Sequence, residues 1–273
     1  MANWLIGILC SGAVALLAFR KGSLSGSGAV GAILVGTVLY ALGSTIWFAT
    51  MIGFFVSSSL LTKWKHAAKA KVESTYEKSG RRDVGQVLAN GGLASLLCIA
   101  HAVSPAEYWI CLYAGVMATV TADTWATEIG GLSRTQPYSI VTGKRVEAGT
   151  SGGVSLLGLI ASALGGSFIG GIMWTASTVA GAGAEVSADI RYRLLVIGAI
   201  AGLCGSLADS FIGAKWQRKN RCQACGKELE VSHHCGKPTF HAHGQKWLGN
   251  DWVNLISSLI GGLISLGLFM IWK

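Results

Sequence analysis

The chain carries eight apolar stretches, each close to the roughly 20 residues that cross a bilayer as a helix. They run over about 3–19, 27–43, 45–62, 88–104, 107–122, 153–173, 193–213 and 252–271. In lipid every backbone polar group must find its partner within the chain, so stretches of this length are expected to be helices. The expected fold class is all-α, a polytopic transmembrane helical bundle of about eight spans. Gly43-Ser44 separates the second stretch from the third, and Ser104-Pro105-Ala106 the fourth from the fifth, so both pairs read as tight hairpins. What remains is read as one integral membrane domain over 1–273, with one sizeable loop at 214–250. Met1-Ala2-Asn3-Trp4 lacks the basic opening of a cleaved signal peptide and reads as the start of the first span.

Charge orients the spans. Only 13% of residues are charged, about half the usual share, and 51% are hydrophobic, which rules out a disordered chain. Of the 22 Lys and Arg residues, all but Arg191, Arg193 and Lys273 fall in alternate gaps between spans. The positive-inside rule then puts those gaps, and the motifs near them, in the cytoplasm and both termini outside. In a bacterium the membrane would be the plasma membrane. The net charge of +9 is thus a topology signal suited to anionic headgroups, and no nucleic-acid partner is expected. Glycine, 38 residues, exceeds ordinary usage about twofold, and close helix packing in lipid accounts for much of it.

Charges at a membrane edge are costly and usually functional. Asp123 closes the fifth span, Asp209 lies within the seventh near its end, and Asp251 opens the eighth. All three fall on the cytoplasmic side of this topology. Carboxylates from separate helices meeting at one face suit a hard cation with oxygen ligands, above all Mg²⁺. Helix capping for Asp251 and interhelical hydrogen bonding for Asp209 are the plainer readings. Asn250, Asp251 and Asn254 share a helix face, as do Ser206, Asp209 and Ser210. Asp123 and Glu128 are five apart, about 140° around a straight helix, so they converge only if the helix breaks near Trp125.

Glycine-rich segments offer an anion side. Gly149-Thr150-Ser151-Gly152-Gly153 enters the sixth span, and a helix N-terminus there would present free N–H groups to phosphate. Ser25-Gly26-Ser27-Gly28 enters the second span in the same way. Tight packing is the alternative for both. Arg81, Arg82, Gln86 and Asn90 lie at the same predicted face, and Lys144 and Arg145 precede the glycine loop. These cations could hold phosphate by charge-assisted hydrogen bonds or rest against lipid headgroups.

Four of the seven cysteines, Cys10, Cys98, Cys111 and Cys204, lie within spans and read as small core residues. The loop holds Cys222-Gln223-Ala224-Cys225-Gly226, then His233-His234-Cys235-Gly236. This is metal-knuckle spacing, and the insert 222–235 is expected to bind a structural Zn²⁺ through Cys222, Cys225, Cys235 and a histidine. His234 is the first choice, with His233, His241 and His243 as alternatives.

Five ordered motifs carry a family resemblance: Arg82-Asp83-x-x-Gln86-Val87-Leu88-Ala89-Asn90-Gly91-Gly92, Ala122-Asp123-Thr124-x-Ala126-x-Glu128-x-Gly130, Gly149-Thr150-x-Gly152-Gly153-Val154-Ser155, Asp209-Ser210-x-x-Gly213-Ala214 and Asn250-Asp251-x-Val253-Asn254. Together they resemble the integral membrane family known as domain of unknown function ninety-two, similar to mammalian transmembrane protein nineteen. Its plant members are phytyl-phosphate kinases. The resemblance implies a membrane isoprenoid-phosphate kinase that transfers a phosphoryl group from CTP or another nucleoside triphosphate to a prenyl monophosphate. It implies catalytic Asp123, Glu128, Asp209 and Asp251, with Mg²⁺ on the three aspartates. It implies substrate and nucleotide contacts from Arg82, Gln86, Asn90, Lys144, Arg145, Gly149, Thr150, Ser151, Gly152, Gly153, Ser206, Ser210, Asn250 and Asn254. A kinase acting on the free polyprenol or phytol, and a lipid or small-molecule transporter, are the alternatives.

Overall fold

The computed structural model describes residues 1–65, 77–78, 80–179 and 186–272. Lys69, Lys71 and Lys273, counted in the charge pattern, lie outside the described residues. Among the described residues, eight helices follow the expected stretches in order: α1 (Ala2–Arg20), α2 (Gly26–Leu42), α3 (Thr45–Lys63), α4 (Val84–Val103), α5 (Glu107–Gly130), α6 (Leu156–Val179), α7 (Ala188–Lys215) and α8 (Asn250–Trp272). Of these, α1, α3, α4, α6, α7 and α8 are long and apolar enough to cross a membrane, and α2 is a shorter apolar helix of 17 residues. The protein is a polytopic helical membrane protein.

Helix starts follow local chemistry. Ser25 Oγ accepts the Gly28 N–H at the start of α2, and Ser44 Oγ accepts the Ile46 N–H at the start of α3. At α4, Asp83 accepts the Gln86 N–H while the Gln86 side chain accepts the Asp83 N–H, a reciprocal cap.

Helix α5 is the axis. Tyr113 through Ala122 are all buried, as expected for a helix apolar on every side. It packs against α3, α4, α6, α7 and α8, while α1 pairs with α2, and α2 leans on α4. Helices α6 and α7 touch backbone to backbone: a Cβ at Gly166 would lie 2.2 Å from Gly198 O. Such contacts place part of the glycine surplus inside the bundle. Buried hydroxyls bridge the helices. Tyr113 Oη donates to Trp47 O at 2.6 Å, and Ser265 Oγ donates to Cys111 O at 2.5 Å.

The connections depart from an all-helical reading by carrying two small sheets. Strands β1 (Tyr138–Ser139) and β2 (Gly153–Val154) pair antiparallel between α5 and α6. Between α7 and α8, β3 (Lys219–Cys222), β4 (Glu228–Leu229), β5 (His233–His234) and β6 (Lys237–His243) form a four-stranded sheet in the order β4-β3-β6-β5. The expected loop at 214–250 is therefore a β insert.

Candidate functional site

One end of the bundle encloses a polar cavity of about 260 Å³. The end of α5, the start of α4, the entry to α6, the last turns of α7, the first turns of α8 and the β insert all contribute to its wall. It gathers most of the residues the sequence singled out: Arg82, Gln86, Asn90, Asp123, Glu128, Gly149 through Gly153, Ser206, Asp209, Ser210, Asn250 and Asn254. Residues as far apart as 82 and 254 meet here because the motif-bearing helix ends all fall at the same end of the bundle.

Asp123 and Asp209 form the acidic pole. They are electrostatic neighbours across the α5–α7 interface, both half-buried. Asp209 accepts a hydrogen bond from Ser257 Oγ of α8 at 2.9 Å. Asp123 has no hydrogen bond or ion pair among the described residues. Glu128 accepts a hydrogen bond from Thr62 Oγ1 of α3 at 2.5 Å. Helix α5 does not break near Trp125; it is continuous to Gly130. Asp123 and Glu128 still border one cavity, because the cavity wraps around the end of α5. One carboxylate faces α7, and the other faces α3 and Arg82.

Arg82 is the cationic pole. Its guanidinium lies 5.7 Å from the Phe54 ring and 5.9 Å from the Phe55 ring, and Nη1 is 3.4 Å from Ser59 Oγ. Burial pulls this guanidinium below its ordinary value, and the Glu128 carboxylate pulls it back up. Its backbone is clamped: Ser25 N–H donates to Arg82 O, and Arg82 N–H donates to Ser23 O, both at 3.0 Å. This explains the Ser25–Gly28 run. A Cβ at Gly28 would lie 2.0 Å from Arg82 O, so that glycine seats the arginine's backbone, and the run does not line the polar cavity.

Other expectations are corrected. The Gly149–Gly153 run is not a helix N-terminus. Gly149 and Gly152 take positive φ in a turn that leads into β2, and α6 begins only at Leu156, where Ser155 Oγ accepts the Gly158 N–H. The loop still reaches the cavity, because Gly152 packs against α7 where an added Cβ would lie 2.3 Å from Ala214 Cβ. Lys144 and Arg145 do not line the cavity. They lie on an exposed hairpin, where Lys144 O accepts the Ser139 N–H and Arg145 Nε donates to Tyr138 Oη at 3.3 Å. Asp251 does not line it either. It forms a salt bridge with Lys78, which also pairs with Asp83 at 3.0 Å, while Asp251 Oδ1 is buried with no partner. Asp251 turns toward α4, leaving Asn250 and Asn254 at the wall.

Several wall residues carried no sequence signal. Lys78 is one; burial opposes its charge, but Asp251 and Asp83 raise its pKa overall. Glu230, in the β insert, is another. It is 7% exposed and accepts from Lys219 Nζ at 2.8 Å, and both are electrostatic neighbours of Asp209. Gln217 also lines the cavity, and its buried Nε2 donor has no partner. Glu230 escapes a sequence reading because its partner lies eleven positions back and its register comes from the sheet.

A second hollow, mostly apolar, lies between α1, α2, α3 and α4. Val14, Val35, Phe48, Met51, Phe55 and Val87 line it. It shares Arg82, Gln86 and Asn90 with the polar cavity, so the two adjoin at the arginine.

In the β insert, the ligand-type atoms of Cys222, Cys225, His234 and Cys235 lie within 4.8 Å of one another, a possible metal-binding cluster. The other histidines are engaged elsewhere: His233 with Ser232, His241 with Gly244 O, and His243 with Glu228. The Cys225 N–H heads the groups that draw the Cys222 thiol down to about 6, whereas burial, then Cys225, push the Cys235 thiol up.

Protein PGR of Arabidopsis thaliana is 30% identical to this chain over 281 residues, covering 96% of it and 94% of its own length. An uncharacterized membrane protein of Methanocaldococcus jannaschii is 27% identical, covering 95% of this chain and 91% of its own. Protein VTE6, chloroplastic, of Arabidopsis thaliana is 27% identical over 92% of this chain and 68% of its own length. No solved structure matches. The family model described as Integral membrane protein DUF92 matches residues 9–262, and the chain belongs to that family.

Proposed function

We propose that the protein is a membrane phosphotransferase that converts an isoprenoid monophosphate to the diphosphate at the expense of a nucleoside triphosphate. One observation carries the reading. A polar cavity with an acidic pole at Asp123 and Asp209 meets an apolar hollow at the half-buried cation Arg82. A lipid phosphate has the matching form, an apolar tail joined to an anionic head.

The residues fit a hard divalent cation. Asp123 has no protein partner, Asp209 has one oxygen engaged by Ser257, and nearby Asn250 and Asn254 add oxygen donors of the right kind. Asp123 and Asp209 would hold Mg²⁺. A divalent cation held there would supply charge stabilisation for the phosphoryl transfer. Asp251 is a weaker ligand candidate, because Lys78 already neutralises it.

The chain's own residues supply position and charge. The tail lies in the hollow lined by Val14, Val35, Phe48 and Met51, and Arg82 receives the head at the junction. Gln86 and Asn90 donate to its oxygens from α4. The free Gln217 Nε2 and the turn at Gly149–Gly153 face the nucleotide phosphates. A phosphate oxygen of the lipid attacks the terminal phosphorus of the nucleotide. The bond to the bridging oxygen breaks, and nucleoside diphosphate leaves. A phosphate acceptor is already ionised, so catalysis is mostly positioning and electrostatics. The charged groups gather at one end of the helices, whereas transport sites usually lie near the membrane's midplane.

The test is product analysis of purified protein with geranylgeranyl or phytyl phosphate, Mg²⁺ and each of CTP, ATP, UTP and GTP, with the free alcohols in parallel. A diphosphate product from the monophosphate supports the reading. Turnover of the alcohol alone would move the assignment to a polyprenol kinase. Folded protein inactive toward every pair would overturn both.

A further inference from the structure

The β insert between α7 and α8 has very little to hold it together. Of residues 219–243, the only buried hydrophobic side chains are Cys222 and Leu229. Phe240, the large aromatic of the longest strand, is 47% exposed. Three of the four strands are two to four residues long. A module this small, with almost no apolar core, needs a covalent or metal staple to stay ordered.

The same module nevertheless performs an exacting task. It carries Glu230 to the cavity wall, backed by Lys219 in a buried ion pair with both side chains 9% exposed. Asn220 Nδ2 donates to Glu230 O at 3.4 Å and to Val231 O at 3.1 Å, and Thr239 Oγ1 donates to Val231 O at 2.8 Å. Glu230 is thus fixed by the packing of β3 against β4 and β6. A buried pair of this kind is worth keeping only if its geometry is held, since either charge left alone is strongly destabilising.

Four side chains at the far end of the sheet supply a staple. Cys225 Sγ lies 3.5 Å and Cys235 Sγ 3.2 Å from His234 Nδ1. Ligands around a tetrahedral zinc, bonded at roughly 2.0–2.3 Å, stand about 3.5–4 Å apart. The backbone is shaped for it. The Ala224 N–H points at Cys222 Sγ at 3.4 Å, and the Gly226 N–H donates to Cys222 O at 3.0 Å. Each Cys-Gly step turns sharply, with positive φ at Gly226, Cys235 and Gly236. Cys235 adopts this strained conformation without being glycine, which is the mark of a residue held for its side chain.

We propose that Cys222, Cys225, His234 and Cys235 bind one zinc ion, and that this ion locks the insert as a roof over the polar cavity, holding Glu230 at its wall through its ion pair with Lys219. The lock is independent of which reaction the cavity performs. Cys222 ends the strand that Lys219 begins, so the ion and the ion pair sit at opposite ends of β3. Zinc has no open position here, because three thiolates and one imidazole fill a tetrahedron.

The test uses the full purified chain in detergent under reducing conditions, with zinc measured by mass spectrometry and backbone exchange followed by peptide. One equivalent of zinc per chain is expected. Cys225→Ser and Cys235→Ser should lose it, and His241→Ala should keep it. Zinc release from the unmodified chain by a thiol-reactive mercurial should remove exchange protection across 217–231 while α5 stays protected. Removing the mercurial with excess free thiol and adding fresh zinc should restore it. A chain purified without zinc, or with a disulfide among these cysteines, would overturn the metal assignment. Zinc release that leaves 217–231 protected, or that opens α5 as well, would overturn the roof.

Discussion

Ser257 Oγ donates to Asp209 Oδ2 across 2.9 Å, tying α8 to α7 at the acidic pole of the cavity. Asp209→Asn and Asp123→Asn should each lower phosphoryl transfer by roughly 10²-fold or more, the usual cost of removing one preorganised electrostatic group. Ser257→Ala should cost far less, because it frees a carboxylate oxygen without removing charge. Turnover at saturating lipid phosphate is the measurement. Wild-type rates in Asp209→Asn would take Asp209 out of the site.

Arg82 should act on binding more than on turnover. Arg82→Lys keeps a positive charge but loses the planar fork and its stacking on Phe54 and Phe55. The expected result is a rise in KM for the lipid phosphate of about tenfold, with a smaller change in kcat. Arg82→Met should abolish saturation within accessible lipid concentrations. Equal KM values in the lysine variant and the parent would count against a phosphate contact.

Gly28→Ala should destabilise the protein although it lies outside the polar cavity. The new Cβ would sit 2.0 Å from Arg82 O, so α2 or the arginine's backbone must move. Overpacking of this kind costs about 1–3 kcal/mol. Thermal unfolding in detergent should fall, and KM for the lipid phosphate should rise with it. Gly26→Ala, with nothing within 4 Å of the added atom, is the control and should do neither.

The Lys78 cluster sets a pH window. Burial raises Asp83, but the Gln86 N–H and Lys78 outweigh it and hold the carboxyl below its usual range. Its contribution is therefore present above the unfolded value of about 3.9 and is lost as pH falls through the lower folded value. Burial lowers Lys78, but Asp251 and Asp83 raise it overall. Its contribution is present below the unfolded value of about 10.4 and is lost as pH rises through the higher folded value. The stability difference between the parent and Lys78→Met should thus stay flat from about pH 5 to pH 9. It should shrink on the acid side as Asp83 titrates. A difference that changes steadily across the neutral range would contradict the pairing.

The helices were legible because the bilayer demands long apolar runs, and each stretch became one helix. The aspartates were legible because a charge near a membrane edge is expensive and so stands out. What hid was everything set by loops. Lys144 and Arg145 precede the glycine loop and admitted a phosphate or a headgroup reading, yet the turn at Gly143 carries them into solvent. Asp251 sits on the expected helix end, but a lysine 173 positions earlier claims it. Glu230 had no local pattern, since pairing with Lys219 depends on sheet register. Residues 123 and 128 border one cavity although α5 does not break between them, because that cavity reaches two sides of the helix end.

The junction of the two hollows at Arg82 has a kinetic consequence. One reactant of the proposed transfer diffuses in a plane and the other in bulk water. The rate should then follow the mole fraction of lipid phosphate in the micelle or bilayer, not its molar concentration. Adding inert detergent at constant total substrate would slow the reaction by surface dilution, and adding water would not.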